Sequence, residues 1–361
     1  MNEEDNNNDL RRFLIRWHTI VSDEIKENSK DNEPPTKKRK KRKRQEFILA
    51  PSIDNLSSLI EIGQTGVHYS NINMEMLWNT LPDLIQLNNL IGMKKLKTTV
   101  FNQIIYYLQN LHKNNNDDYL HTVILGPPGC GKTTVAQIIG NIYKKMNILS
   151  KNGPFKIAKR EDFVGEYLGH TAMKTKKLLK SCLGGVLFID EAYALGPGQK
   201  DKDSFSKEAI DTLNAFLSEN KSNFCCILAG YEREIKKCFF SVNPGLERRF
   251  QWVHRIDEYS SEDLSEMVFK KIKEIKWNTN ISKKDLTKLI EQNKDLFKHL
   301  GGDIENLVTK SKLIHAKRVF HLDEKHRFNL TKKDIIDSIE LLKNNNLKEK
   351  ESSNNPLEMM Y

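Results

Sequence analysis

Residues 121–140 read HTVILGPPGCGKTTVAQIIG. Within them Gly126, Pro127, Pro128, Gly129, Cys130, Gly131, Lys132 and Thr133 fill the spacing G-x-x-x-x-G-K-[ST], the signature of a phosphate-binding loop. The flanks agree with it. Thr122–Leu125 is a β-branched and aliphatic run, as a short buried strand requires, and Val135, Ile138, Ile139 and Ile142 recur at helical spacing from Thr134 onward. A strand, a glycine loop and a helix in that order aim loop amides and a helix N-terminus at anionic oxygens. Gly126, Gly129 and Gly131 allow backbone angles that other residues avoid and leave no side chain between backbone and ligand. Lys132 is expected to reach the β- and γ-phosphates of ATP and the Thr133 hydroxyl to hold Mg²⁺, with Thr134 beside them in the cofactor-binding set.

A second constellation lies downstream. Val186–Ile189 is an apolar run that ends in Asp190 and Glu191. A buried strand delivering two carboxylates to the sheet edge that carries a phosphate loop suits triphosphate hydrolysis. Asp190 is expected to orient Mg²⁺, directly or through water, and Glu191 to polarise the attacking water as general base. Two carboxylates at a strand end can also be plain surface residues, but Lys132 and Thr133 upstream weigh against that reading.

Outward from these two anchors, Phe155–Ala158 and 225–229 read as further strands, and helices are expected over about 206–220, after the loop in EDFVGEYLGHTAMKTKKLLKSC, and over about 93–111. Strands alternating with helices predict an α/β domain over 84–256, a parallel sheet covered by helices on both faces. From Asp257 the pattern is helical. Ser260 with Asp263, Ser282 with Asp285 and Thr331 with Asp334 repeat a capping spacing. Gly301-Gly302 is expected to end one helix and Asp303 to cap the next. Residues 257–345 therefore read as a small all-helical lid domain and 346–361 as a polar tail. Residues 46–83, interrupted by Pro51, Gly63 and Gly66, read as a linker with some structure. Residues 1–45 read as an appendage. Leu10, Phe13, Leu14, Trp17, Ile20, Val21 and Ile25 fall at helical spacing there, for a helix that either packs on its own body or docks a partner.

Composition narrows the class. The net charge is +10, but the run KKRKKRKR from Lys37 to Arg44 supplies eight of it, leaving +2 for everything else. Overall basicity is thus no argument for a nucleic-acid-binding body. The run itself reads as a nuclear-import signal, a polyanion-binding arm or a solvated tail. The five cysteines show no C-x-x-C spacing, which fits reduced thiols better than a disulfide frame or a zinc site. No run approaches the roughly 18 apolar residues of a membrane span, and the acidic, Asn-rich start is not a secretory leader. A soluble intracellular protein, cytoplasmic or nuclear, is expected.

The phrases GPPGCGKTT, VGEYLGHTAMKT, GGVLFIDEAYAL, EAIDTL, ILAGYE and NPGLERRF occur in this order. Together they resemble an AAA+ ATPase, and more narrowly the CbbX/CfxQ and SpoVK-type subgroup. The likeness spans roughly 84–340 and is densest over 121–256. It implies a P-loop NTPase sheet followed by a helical lid, and a homo-oligomeric ring, usually a hexamer, with ATP and Mg²⁺ at each subunit interface. It implies that Arg249 reaches the γ-phosphate of a neighbour's ATP, with Arg248 the second candidate. Tyr167, Leu168 and Gly169 match the loop that lines the central pore, where an aromatic grips an extended protein client without reading its sequence. Tyr231 occupies the first sensor position, and Leu90, Ile91 and Gly92 the segment flanking the base. The second sensor is usually an arginine. Asp303, Ile304 and Glu305 fill that window instead, leaving Lys310 or Lys312 as substitutes. Relatives of this kind remodel inhibited Rubisco. The implied function is remodelling or translocation of a protein client. The alternatives are a nucleic-acid-directed motor using Lys37 to Arg44, and an ATP-gated scaffold with weak hydrolysis.

Overall fold

The computed structural model describes residues 48–114, 119–167, 169–197 and 203–353, with backbone alone at 114 and 346–353. The expected helix over Leu10 to Ile25, the run from Lys37 to Arg44, Leu168 and residues 354–361 lie outside them.

Three helices precede the sheet: α1 (Leu56–Gln64), α2 (Met74–Asn88) and α3 (Lys94–Leu108). The segment over 46–83 is thus more regular than a linker. The buried face of α2 repeats at Met74, Leu77, Leu81, Leu84 and Leu87, straight through Pro82. That spacing places one apolar stripe against neighbouring helices, and burial of the stripe outweighs the proline's missing donor. Lys145, in the helix after the phosphate loop, ties down α2 through Asp83 at 2.6 Å.

The sheet follows. β1 (Thr122–Leu125), α4 (Lys132–Lys145), β2 (Phe155–Ala158), α5 (Arg160–Phe163), α6 (His170–Lys180), β3 (Val186–Ile189), α7 (Ser204–Glu219) and β4 (Cys225–Gly230) alternate as the pattern predicts. A short helix, α8 (Pro244–Glu247), then leads into β5 (Trp252–Arg255). The strands are parallel in the order β2-β3-β4-β1-β5. β1, β3 and β4 are buried along their whole length. Under one face lies a continuous core that includes Phe163, Leu187, Leu213, Phe224 and Phe239. Because all strands run the same way, the ends of β1, β3 and β4 open on one edge. Leu125 pairs with Gly230 and Ile189 with Leu228, so the residues after β1, β4 and β3 sit side by side there.

β5 is an edge strand whose WVHR sequence carries no apolar run. Its His254 is completely buried, and neither ring nitrogen has a hydrogen-bond partner among the described residues. Burial lowers its pKa to about 4 from the ordinary 6.5. The unfolded chain therefore binds the extra proton between those values. The contribution to stability is complete above about pH 6.5 and is lost as pH falls toward 4. His254→Leu is expected to flatten the loss of melting temperature between pH 7 and pH 5. It should also raise stability at pH 7 by about 1 kcal/mol, since an unpaired buried polar group disappears. Thermal unfolding at the two pH values checks this, and an unchanged slope would show that other groups carry the acid sensitivity.

After β5 the chain is helical: α9 (Ser261–Glu274), α10 (Lys283–Gln292), α11 (Gly301–Val319) and α12 (Lys332–Ser353), with a two-residue parallel pair between Asn278–Thr279 and Asn329–Leu330. The Ser260–Asp263 capping box forms as the spacing predicts. The Ser282 and Thr331 hydroxyls likewise accept from the amides of Asp285 and Asp334. Gly301-Gly302 behaves differently from the expectation. It opens α11 rather than ending a helix, and Asp303, inside the first turn, accepts from the amide of His299 at 2.6 Å. The reason lies in the phosphate loop: Gly301 lets the start of α11 meet it, since a Cβ there would lie 2.7 Å from the Gly129 carbonyl oxygen.

Candidate nucleotide-binding and hydrolysis site

The loop after β1 is held from three sides. The amide of Gly126 donates to Gly230 at 3.2 Å, fixing the loop to the end of β4. The Tyr259 hydroxyl, at the entrance to the lid, donates to the carbonyl of Cys130 at 3.0 Å. The amide of Gly301 donates to the carbonyl of Gly129 at 3.3 Å. Gly129 has φ +67°, and a Cβ there would lie 2.2 Å from the carbonyl oxygen of His299. A side chain at 129 would therefore push the lid off the loop. Cys130 is buried, and burial raises its thiol pKa, so it acts as packing rather than as a reactive group.

Lys132 opens α4, and Gly131 in the left-handed region (φ +86°) turns the chain into it. The Lys132 ammonium donates to the carbonyls of Gly126 and Pro127 at 3.2 and 2.8 Å, so it stays inside the loop's curve. It also lies 5.4 Å from the ring centre of Tyr231. Thr133 and Thr134 are exposed in the same first helical turn, whose amides point outward. Loop and cation thus come together, with Thr133 the next residue of α4.

Asp190 and Glu191 follow β3 across the intervening end of β4. Asp190 accepts the amide of Glu191 through Oδ1 at 3.1 Å, which leaves its second oxygen available. The exposed Thr133 hydroxyl and this carboxylate are hard oxygen donors of the kind Mg²⁺ takes, with phosphate and water completing its shell. Glu191 adopts a left-handed backbone, φ +49°. Its side chain is exposed. Strained conformations of this type persist where the surroundings impose them, often at working sites.

Two tyrosines wall this corner. Tyr231 stacks on Tyr193 with ring centres 5.7 Å apart. Burial, and then the charge of Glu191, push the Tyr193 hydroxyl up to about 12. The same two causes raise Tyr231. Both phenols are therefore neutral donors beside a carboxylate. Tyr231 matches the sensor position. Tyr193, two residues past Glu191, lies within the phrase GGVLFIDEAYAL, but its stacking on Tyr231 is visible only in space. The same holds for Tyr259, which a Cβ on Gly92 would meet at 2.9 Å. Gly92 thus lies against Tyr259, whose hydroxyl reaches the phosphate loop.

The window at the start of α11 where the resemblance expects a sensor holds no arginine. Ile304 is buried, Asp303 holds the His299 amide, and Glu305 pairs with Lys271 at 2.7 Å. Lys310 and Lys312 are about 13 and 16 Å along α11 from Gly301 at the helical rise. Neither lies beside the loop as a substitute sensor, and the lid touches it through backbone and the Tyr259 hydroxyl instead.

Arg249 lies at the other end of the sheet. Trp252 pairs with Thr122, so β5 begins level with the start of β1, about 13 Å of strand from the phosphate loop. The Nε of Arg249 donates to Ser218 at 2.8 Å, and Nη1 donates to the carbonyl of Gly245. Its Nη2 has no partner among the described residues. Arg248 beside it is exposed. Tyr167 is 66% exposed on a loop whose base is pinned. The Gly165 amide donates to Thr171, Thr175 donates to the Phe163 carbonyl, and Lys174 donates to the carbonyls of Glu161 and Val164. Gly169, in the left-handed region at φ +80°, turns the loop into α6.

Residues 122–257 match the family described as the ATPase family associated with various cellular activities (AAA). A cfxQ-like protein of Acanthamoeba polyphaga mimivirus is 40% identical over 85% of this chain and 76% of its own length. The stage V sporulation protein K of Bacillus subtilis (strain 168) is 37% identical over 66% of this chain and 76% of its own. A chloroplastic ribulose bisphosphate carboxylase/oxygenase activase of Cyanidioschyzon merolae is 33% identical over 56% and 66%. The crystal structure of the FIGL-1 AAA domain in complex with ADP superposes with a TM-score of 0.51 at 16% identity, covering 70% of this chain and 83% of that one, which bears on the fold alone. None of these names supports a nuclear address for the run from Lys37 to Arg44. Among the described residues no helix is long and apolar enough to cross a membrane. The chain belongs to the AAA+ ATPases, in the CbbX/CfxQ subgroup, and is an ATP-hydrolysing enzyme.

Proposed function

We propose that this ATPase works as a homo-oligomeric ring, hexameric as in most of its kind, and pulls on a protein client through its pore loop. ATP sits between residues 126–133 and the lid, with Lys132 neutralising the phosphates. Mg²⁺, held by Thr133 and Asp190, supplies further charge neutralisation. Glu191 takes a proton from the attacking water, and the Tyr231 and Tyr193 hydroxyls orient that water and the carboxylate. Arg249 of the adjoining subunit meets the charge that builds on the transferred phosphoryl.

The observation that carries the remodelling reading is Tyr167, exposed at the tip of a loop pinned beside the Asp190–Glu191 end of β3. Tyr167, Leu168 and Gly169 form the client grip in this reading. The relative named as a Rubisco activase adds weight to a protein client. The test uses a permanently unfolded polypeptide, casein, as probe. Casein should stimulate ATP hydrolysis by the parent protein, and Tyr167→Ala should lose that stimulation by about tenfold. Stimulation that survives the substitution would remove Tyr167 from the grip.

One observation favours a second reading, the ATP-gated scaffold. With Ile304 where an arginine would complete the lid, hydrolysis is expected to be slow. A single-turnover measurement separates a slow motor from a ring that holds ATP. The nucleic-acid-directed motor rests on the run from Lys37 to Arg44 and on the shared fold, and a fold alone does not choose the client.

A further inference from the structure

We propose that Arg160 is the link that passes the state of the Glu191 corner to the Tyr167 loop. The inference rests on the client-grip reading of that loop. Ala158 pairs with Ile189, so two residues past β2 comes Arg160 and two residues past β3 comes Glu191. The two strands deliver these side chains to the same edge of the sheet.

Arg160 opens α5, the helix that leads into the loop. Its guanidinium spans three elements. Nη1 donates to the carbonyl of Ala194 at 2.9 Å, in the turn that immediately follows Glu191. The same nitrogen donates to the Ser206 hydroxyl at 2.6 Å, and Nη2 pairs with Asp203, whose carboxylate also caps α7. Ser206 donates in turn to Asp203 at 2.7 Å. Arg160 thus binds the loop base to the turn behind the general base and to the helix that flanks it. A planar, multi-donor cation suits such a three-way joint, where a lysine offers a single point of attachment.

A cavity of about 780 Å³ lies between the two sites. Glu161, Val164, Gly165 and Glu166 of the loop line one side, and Asp190 and Glu191 the other. The loop base and the Glu191 turn thus face one cavity, and Arg160, which also lines it, ties the two together through the Ala194 carbonyl. A shift of the Glu191 turn between ATP and ADP states pulls on Ala194, and Arg160 carries the shift to α5 and Tyr167. Arg160 is a positioning residue here: it touches neither the phosphates nor the client.

The test needs no client. Four of the five cysteines are buried and Cys238 is half-buried, so a Cys238→Ser, Glu166→Cys protein takes one bimane label at the loop. Its emission is compared with ATPγS and with ADP. The labelled parent should show a nucleotide-dependent difference, and Arg160→Gln should shrink it at least about threefold, the size of an ordinary coupling. Hydrolysis without client should change less than about threefold. Arg160→Lys, which keeps the charge and one donor position, should fall between the two. Asp203→Asn removes the ion pair from the other side and stands in if Arg160→Gln does not fold. A full nucleotide-dependent difference in both Arg160→Gln and Asp203→Asn would overturn the link. No difference in the labelled parent would sink the moving-loop reading and this inference together.

Discussion

Glu191→Gln is expected to cut ATP turnover at least about a hundredfold while leaving ATP bound, because the substitution removes the base and keeps the shape. Glutamine fits the left-handed turn at 191 as glutamate does, and the Glu191 side chain is exposed. No packing is lost, so the effect should fall on the chemical step. In the proposed site the phosphates are seated by other residues: the amides of 129–133, Lys132 inside the loop, and Thr133, since Pro127 and Pro128 have no N–H and the Gly126 amide is bonded to Gly230. Nucleotide affinity should therefore stay within a few-fold of the parent, and the protein should accumulate in its ATP state. Phosphate release under single-turnover conditions and retention of labelled ATP on a desalting column check the two halves. Parental turnover in Glu191→Gln would take the proton-accepting role away from this carboxylate.

Arg249→Ala is the second large effect. A cation delivered to the γ-phosphate from a neighbouring subunit is worth about a thousandfold in turnover, and the loss should be of that order. The geometry fits the proposed action in trans. Arg249 lies at the start of β5, about 13 Å of strand from its own phosphate loop. Its Nε edge is fixed by Ser218 and the Gly245 carbonyl. That anchoring leaves Nη2 without a partner among the described residues, and a side chain already held in place loses little freedom when it engages an anion. Arg248 is exposed and unanchored, so Arg248→Ala should cost far less. If Arg248→Ala turned out as damaging as Arg249→Ala, the pair would share the contact.

The phosphate loop was legible because its chemistry is written in contiguous residues. Spacing, strand and helix all lie within residues 121–140. The carboxylate pair was legible for the same reason, since VLFI is apolar throughout and ends in charge. Other features depend on partners far along the chain. Arg160 reaches Ala194 and Ser206, 34 and 46 residues away, and no local pattern announces that joint. Tyr259 touches a carbonyl 129 residues upstream. Tertiary burial also overrode local punctuation. The apolar stripe of α2 continues through Pro82, and β5 is a strand despite His254 and Arg255, because β1 offers it a partner. The glycine pair at 301–302 was misread for a related reason. Glycines beside a helix suggest its end, but here Gly301 serves close approach to Gly129, while a side chain at Gly302 would meet open space.

The account turns on a site shared between two subunits, and mixing two inactive variants tests it most directly. Lys132→Ala subunits keep Arg249, and Arg249→Ala subunits keep the phosphate loop. Where an Arg249→Ala site meets a Lys132→Ala neighbour in a head-to-tail ring, every working part is present, so random mixing should restore up to about a quarter of parental hydrolysis. A mixture as inactive as either variant alone, from proteins shown to co-assemble with ATP, would contradict completion of the site by an adjoining subunit.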